Sequence, residues 1–284
     1  MLQSSSTSLI SSARQFHFEY GRRYHGYNAG KYHFPNDEVE LNRMDIEHYN
    51  QKLQLDGKLH LCPPDDPKQV LDVGTGTGIW CIETADKYPE CEVIGTDLRF
   101  LMGSITSHAE LYKKVYSALK PGCWLELVEI ECGSTFSDDD TVPKDAPSKL
   151  WWKLLEEAFE KIGRPIPKIH RFPKLLEDAG FENVHFQMIK RPVNDWPKDP
   201  KMKEIGRYSR LNYLEGLEGF TMAPFTRVLG WTPEEAQVLI AKVRNETVTR
   251  KFHGWQKGVV CYAQKPLGSA AVAGTAAPPP TNQA

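Results

Sequence analysis

Val70-Leu71-Asp72-Val73-Gly74-Thr75-Gly76-Thr77-Gly78 is the stretch on which the fold turns. Val70 to Val73 is a short apolar run of the kind that forms a strand, and three glycines follow at alternate positions. Glycine adopts left-handed backbone angles freely, so this run makes a tight turn whose backbone N–H groups can approach a ligand closely. From about Gly78 to Tyr88 the sequence reads as a helix, which Pro89 ends. A glycine-rich turn that binds nothing is the bland alternative, and the glycines alone do not exclude it.

The neighbours of the turn do more. The spacing is G-x-G-x-G, whereas a dinucleotide fingerprint wants its third glycine one residue later, where this chain has Ile79. Asp72 would repel a pyrophosphate, but its charge suits the cationic amino group of a methionine moiety. Glu92 to Thr96 reads as a second strand closing at Asp97, about 20 residues past the glycines, where an acidic side chain accepts hydrogen bonds from ribose hydroxyls. S-adenosylmethionine (SAM) therefore fits better than NAD, and a NAD-dependent oxidoreductase is a distant alternative.

Working outward, strand and helix signals alternate. A helix is expected from about Ser104 to Leu119, stopped by Lys120-Pro121-Gly122, and a strand over Trp124–Ile130. After an acidic loop, Lys149–Ile162 is an amphipathic helix and Pro173–Ala179 a short one that Gly180 caps. Val184–Ile189 is a further strand and Val259–Gln264 the last. Between them Pro200–Asn245 is a helical insertion, with Thr232-Pro233-Glu234-Glu235 as a capped helix start. On the other side of the glycines, a helix after Asn36-Asp37 carries Val39, Leu41, Met44, Ile46 and Tyr49, a spacing that predicts an apolar face laid over something apolar. This alternation predicts an α/β domain with a mostly parallel sheet and helices on both faces.

Composition removes some function classes. Thirty-five basic against thirty-seven acidic residues leave a net charge of −2, so no global field recruits nucleic acid or anionic membrane. No apolar stretch has the length to span a bilayer, and Leu9-Ile10 is too short for the core of a secretory signal. Cys62, Cys81, Cys91, Cys123, Cys132 and Cys261 are scattered without metal-ligand spacing and read as reduced thiols, with no metal site expected. Cytoplasm and nucleus both fit. Residues 1–15 and the Ala/Pro-rich tail 267–284 are expected to be disordered.

Beyond the glycine loop, Tyr20-Gly21-Arg22-Arg23-Tyr24-His25, Tyr32-His33-Phe34-Pro35-Asn36-Asp37-Glu38 and Arg43-Met44-Asp45-Ile46-Glu47-His48 form one recognisable series. Leu55-Asp56-Gly57-Lys58-Leu59, Gly95-Thr96-Asp97-Leu98 and Leu119-Lys120-Pro121-Gly122-Cys123-Trp124-Leu125-Glu126 continue it, with Cys123 where a second glycine is usual. In this combination the chain resembles the fungal LaeA-like SAM-dependent methyltransferases, secondary-metabolism regulators and cluster enzymes, from about Phe16 to Pro266. The resemblance implies a Rossmann-like class I methyltransferase domain over 16–266, with 16–64 as a lid segment. It implies that Asp72, Gly74 and Gly76 hold the methionine end of SAM and Asp97 the ribose, with Thr75 and Gly78 completing the loop. Tyr24, Tyr27 and Tyr32 would belong to the lid, or else pack on the domain surface.

The chain departs from that family after Asp97. A SAM-binding sheet normally continues through a helix, a third strand, another helix and a fourth strand, which needs on the order of forty residues. Here six residues, Leu98 to Gly103, separate Asp97 from Ser104. The fold expected is thus a sheet shortened by loss of its third and fourth strands, through a true deletion or a skipped exon. In such a sheet Trp124–Ile130 would move over to pair with Val70–Val73.

Methyl transfer by in-line attack on the sulfonium is the reaction implied, with a metabolite hydroxyl or amine, or a protein side chain, as acceptor. No catalytic base is assigned, since His25, His33, His48 and His253 show no readable pairing with a carboxylate. The competing reading is a regulatory scaffold of the same family that binds partner proteins.

Overall fold

The apolar run that ends in glycines becomes a strand, and its neighbours alternate around it as α/β. The computed structural model describes residues 16–25, 34–96, 105–131, 133 and 135–269. A hairpin of β1 (Phe16–Glu19) and β2 (Arg22–His25) precedes helix α1 (Glu38–Gln54). Next come β3 (Gln69–Val73), α2 (Ile79–Lys87) and β4 (Glu92–Thr96), then α3 (His108–Ala118) and β5 (Trp124–Ile130). The rest is β6 (Phe136–Ser137), α4 (Pro147–Lys161), α5 (Phe172–Asp178), β7 (Glu182–Pro192), α6 (Pro200–Ala223), α7 (Pro233–Val248) and β8 (Gly254–Gln264). Asp97, Tyr27, Tyr32, His33, Cys132, the segment 97–104, the N-terminal 1–15 and the tail from 270 lie outside the described residues.

The mostly parallel sheet expected from the alternation is not what forms. β3 and β4 pair parallel, from Gln69 opposite Glu92 to Val73 opposite Thr96. β8 instead runs antiparallel to β5, β6 and β7 in a second sheet. A parallel pair requires a crossover helix between its strands, and among the described residues only the β3–α2–β4 unit supplies one within a sheet. The re-pairing of Trp124–Ile130 with Val70–Val73 does not occur either, because β3 and β5 lie in different sheets. A loop bridges the two units instead. Glu126 of β5 accepts the backbone N–H groups of Leu61 and Cys62 at 2.8 and 2.6 Å, and the Leu59 carbonyl accepts Trp80 Nε1 of α2 at 2.9 Å.

Apolar burial is concentrated away from the glycines. Phe34, Trp151, Trp152, Leu155, Leu217 and Phe225 anchor one cluster between α4, α6, α7 and the π-helical turn Pro224–Val228. Within it Trp151 Nε1 donates to Thr221 Oγ1 at 2.7 Å, so the buried indole is paired. A second cluster packs α3 and α5 on the sheet through Tyr112, Phe172, Leu176, Val259 and Cys261. The helical insertion runs to Val248, and Thr232 and Glu235 form the expected reciprocal capping box at the start of α7.

Helix α1 reverses its predicted face. Its buried residues are Glu40, Arg43, His48 and Asn50, while Val39, Leu41 and Tyr49 face solvent. Burying charge is costly unless it is paired, and here the partners are present. Glu40 pairs with Arg43 through two contacts of 2.7 and 2.9 Å, and Arg43 also reaches Asn212 of α6. Those partners lie 169 residues apart in sequence, beyond what periodicity within one helix can report.

Candidate functional site

Gly74, Gly76 and Gly78 all have positive φ, at 93°, 55° and 82°, so the chain turns from β3 into α2 through angles that favour glycine. The turn is tied to the neighbouring strand, since Gly74 and Thr75 both donate to the Thr96 carbonyl, at 2.7 and 3.1 Å. Gly95 matters for a different reason. A Cβ there would stand 2.8 Å from Thr75 Oγ1, so only glycine lets β4 pass under the loop.

Asp72 lies beneath the turn, where Cys81 Sγ approaches its carboxylate at 3.5 Å and Thr75 Oγ1 in turn meets Cys81 Sγ at 3.2 Å. No ion pair to Asp72 occurs among the described residues. Burial, with the Asp72 charge nearby, holds the Cys81 thiol above its ordinary pKa. It therefore stays protonated and is no nucleophile.

Helix α1, which lies within the 16–64 segment, sits over the loop. Met44 sits so that a Cβ on Gly76 would lie 3.1 Å from its sulfur, and Asp45 Oδ1 accepts Thr77 Oγ1 at 2.6 Å. Above Gly78 the space is open. Farther along α1, Glu83 of α2 takes Lys52 at 2.6 Å and His48 at 3.1 Å. Burial alone would raise the Glu83 carboxyl, but those hydrogen bonds outweigh it and the net pKa is lowered.

The same helix grips the second sheet. Glu47 receives a two-pronged contact from Arg191 of β7, at 2.7 and 2.5 Å, and Arg191 Nε donates to Ser209 of α6 at 3.0 Å. The Asn50 amide oxygen accepts from Arg191 and Ser209, each at 3.0 Å. Arg191 is only 2% exposed, so this is a buried polar seam.

The aromatic hairpin of β1 and β2 packs elsewhere on the domain. Tyr24 is buried with the Arg227 guanidinium over its ring, and Arg22 binds Asp37 at the start of α1 through contacts of 2.6 and 2.8 Å. Tyr24 thus packs against the helical part of the domain, and the residues that reach the glycine loop come from α1.

Thus Asp72, Gly74, Thr75, Gly76 and Gly78 are brought together in one turn. The structure offers a backbone cradle, an uncompensated carboxylate and a helical roof, a combination suited to a small ligand with a cationic group. His48 is committed to Glu83. His253 lies on Asp139 at 2.5 Å and stacks on Trp196, in an exposed cluster at the start of β8. The five described cysteines (62, 81, 91, 123 and 261) are free thiols.

No family model matches the chain. Named relatives do. Methyltransferase pytC of Aspergillus terreus is 38% identical over 299 aligned positions, covering 93% of this chain and 92% of that protein. The secondary metabolism regulator LAE1 of Cochliobolus heterostrophus is 37% identical over 292 positions, covering 88% and 95%. The protein-methionine methyltransferase laeA of Emericella nidulans is 32% identical, covering 90% of this chain and 78% of its own length. Among solved structures, a Haemonchus contortus phosphoethanolamine N-methyltransferase overlays with a TM-score of 0.45 at 13% identity, covering 92% of this chain and 73% of that one. That likeness is too distant to carry weight, but the sequence relatives span nearly the whole chain, and the chain belongs to the LaeA-like methyltransferase family.

Proposed function

We propose that this chain is a SAM-dependent methyltransferase acting in, or regulating, fungal secondary metabolism. The observation that carries the reading is the turn at Gly74–Gly78, which combines three positive-φ glycines, open space above Gly78 and a carboxylate at Asp72 without an ion-pair partner among the described residues. These residues fit SAM. Asp72, Gly74 and Gly76 would hold its methionine end, with Thr75 and Gly78 completing the turn and Asp97 taking the ribose. Bound there, SAM supplies an electrophilic methyl group. The protein's share is to orient the acceptor and exclude water, because positioning contributes most of the acceleration in such transfers. The domain is taken to run from 16 to 266, with α1 as the working part of the lid and 200–245 shaping access. Among the described residues no helix is long and apolar enough to cross a membrane. Cytoplasm and nucleus remain the two places of action proposed.

We read the break between β4 and α3 as loss of the family's third and fourth strands. Two observations support this. β3 and β5 each pair along one edge among the described residues. Moreover, 93% of 284 residues is about 264, so roughly 35 of the 299 positions aligned with pytC fall opposite gaps in this chain. Two crossover units with their strands are about that long.

A second reading is a regulatory scaffold with impaired catalysis. It draws on the relatives named as regulators and on Leu71, Val73 and Ile94, which leave an apolar sheet face exposed. Calorimetric titration of SAM into the full chain, with Asp97→Ala as control, separates the two. Micromolar binding lost in the variant supports the enzyme, and no binding by a folded chain overturns it in favour of the scaffold.

A further inference from the structure

Strand β7 lies at the edge of its sheet. Among the described residues it pairs with β8 alone, while β5 holds the other side of β8. Which of its backbone groups face outward follows from one contact, the Val193 N–H donating to the Gly254 carbonyl at 3.1 Å. Bonding in an antiparallel ladder alternates, so Arg191, Ile189, Gln187 and His185 turn their N–H and C=O groups toward β8. Phe186, Met188, Lys190 and Pro192 turn theirs outward. Proline fits this assignment, because a missing N–H is tolerated where an edge strand faces away from its sheet. On the far side, the Glu131 N–H donates to the Lys257 carbonyl at 2.7 Å, which leaves the even-numbered residues of β8 to β7.

The side chains along that edge are apolar. Phe186 and Met188 share one face, 41% and 53% exposed, beside their buried ladder partners Cys261 and Val259. His185 and Gln187 are exposed on the other face. A free ladder flanked by exposed apolar side chains is a template for another strand. Two features bound the free stretch. The ladder shifts register before His185, and the Lys190 ammonium is held by Asp138 with the Trp255 ring 4.5 Å away. Between them lies His185–Ile189, whose midpoint is Gln187.

We infer that β7 pairs with β7 of a second copy of this chain, antiparallel about a two-fold axis at Gln187. The stretch is its own complement. The axis sets Phe186 opposite Met188 of the copy and Met188 opposite its Phe186, so thioether meets ring twice within one apolar cluster. Those outward-facing residues supply about four backbone hydrogen bonds. His185 meets Ile189 of the copy on the other face, and the two Gln187 side chains lie side by side. No aspartate, glutamate, lysine or arginine falls within His185–Ile189, so the copies bring no like charges together. Helix α6 binds the Arg191 end of the strand, and antiparallel pairing places that end beside the open end of the copy. One strand per copy makes a small interface, which gives a dimer that dissociates in the micromolar range.

Sedimentation of the full chain over a concentration series tests the pairing. A reversible monomer–dimer equilibrium is expected, and Met188→Lys or Phe186→Lys should weaken it at least about tenfold, with unchanged thermal melts because both sites are exposed. Cysteine cross-linking tests the register. At the axis the two Gln187 Cα atoms would stand about 4.5 Å apart, within disulfide reach. The two His185 Cα atoms would be separated by roughly 14 Å, four residues along the strand. Under mild oxidation Gln187→Cys should therefore form dimers at least about tenfold faster than His185→Cys or the unaltered chain. A dimer indifferent to both lysine variants, or equal cross-linking of the two cysteine variants, overturns the inference. A chain that stays monomeric at about 100 µM also overturns it, and leaves the edge to a strand from another protein.

Discussion

The β3–α2–β4 unit and the β5–β8 sheet with its helices are held by different forces. The helices bury Trp151, Leu155 and Phe225, and the β8 sheet with its helices buries Leu176 and Val260, all at 0–1% exposure, an ordinary apolar interior. The glycine-loop unit contributes no residue to either apolar cluster among the described residues, and Leu71 and Ile94 stand 59% and 50% exposed on the face away from α2. Parallel strands are ordinarily covered on both faces. Here the unit is held largely by polar contacts from α1, at Thr77, Lys52 and His48, and through the 59–62 loop to Glu126. The difference teaches that the ligand-facing half is the less stable one, which suits a part that closes on a cofactor.

Substitutions can break or sharpen this contrast. The largest loss is expected from Leu155→Ala in the helical core, at about 3–5 kcal/mol, since a fully buried leucine leaves a cavity. Denaturant unfolding of the whole chain measures it. Arg191→Ala should cost about 3 kcal/mol by stranding Glu47 in the buried seam, and Glu47→Gln distinctly less. If the two variants cost the same, the seam does not act as a paired charge.

Acid should loosen α1 from the same side. For Asp37, burial alone would raise the pKa, but the Arg22 contact outweighs it and the net is lowered. A carboxyl depressed in the folded state contributes stability above its unfolded pKa, near 3.8, and that stability is lost as pH falls through the folded value. Thermal melts from pH 5 down to 2 should therefore show Asp37→Asn converging on the wild type. Glu129 has the opposite sign, because its carboxyl is raised from 4.5 to about 7. Its favourable share is complete below pH 4.5 and is lost as pH rises through 7, so Glu129→Gln should gain on the wild type between pH 5 and 8.

Smaller effects belong to the ligand-facing half. Asp45→Ala removes the acceptor for Thr77 and should cost about 1 kcal/mol while loosening the loop's roof. Leu71→Ser should change stability by no more than about 0.5 kcal/mol, an unusual result for a leucine in a parallel strand. A loss several times larger would mean that this face is covered in solution.

Local order was legible in the sequence and long-range order was not. The strands at Glu92–Thr96 and Trp124–Ile130, the cap at Thr232 and the turn at Gly74–Gly78 follow from propensities and glycine geometry within a few residues. Two features were hidden because their causes lie far along the chain. The charged face of α1 is buried only because Arg191, Ser209 and Asn212 arrive from β7 and α6. The antiparallel entry of β8 between β5 and β7 depends on a return path through two helices. Of the six candidate cofactor residues, five meet in the turn, while Asp97 lies outside the described residues.

Amide hydrogen exchange across the chain, with and without SAM, tests the central contrast most directly. The account predicts that amides of β3 and β4 exchange at least tenfold faster than those of β8. Adding SAM to about 100 times its dissociation constant should then slow them by up to about 100-fold. Equal protection in the two sheets, or no change in β3 and β4 at saturating SAM, would contradict it.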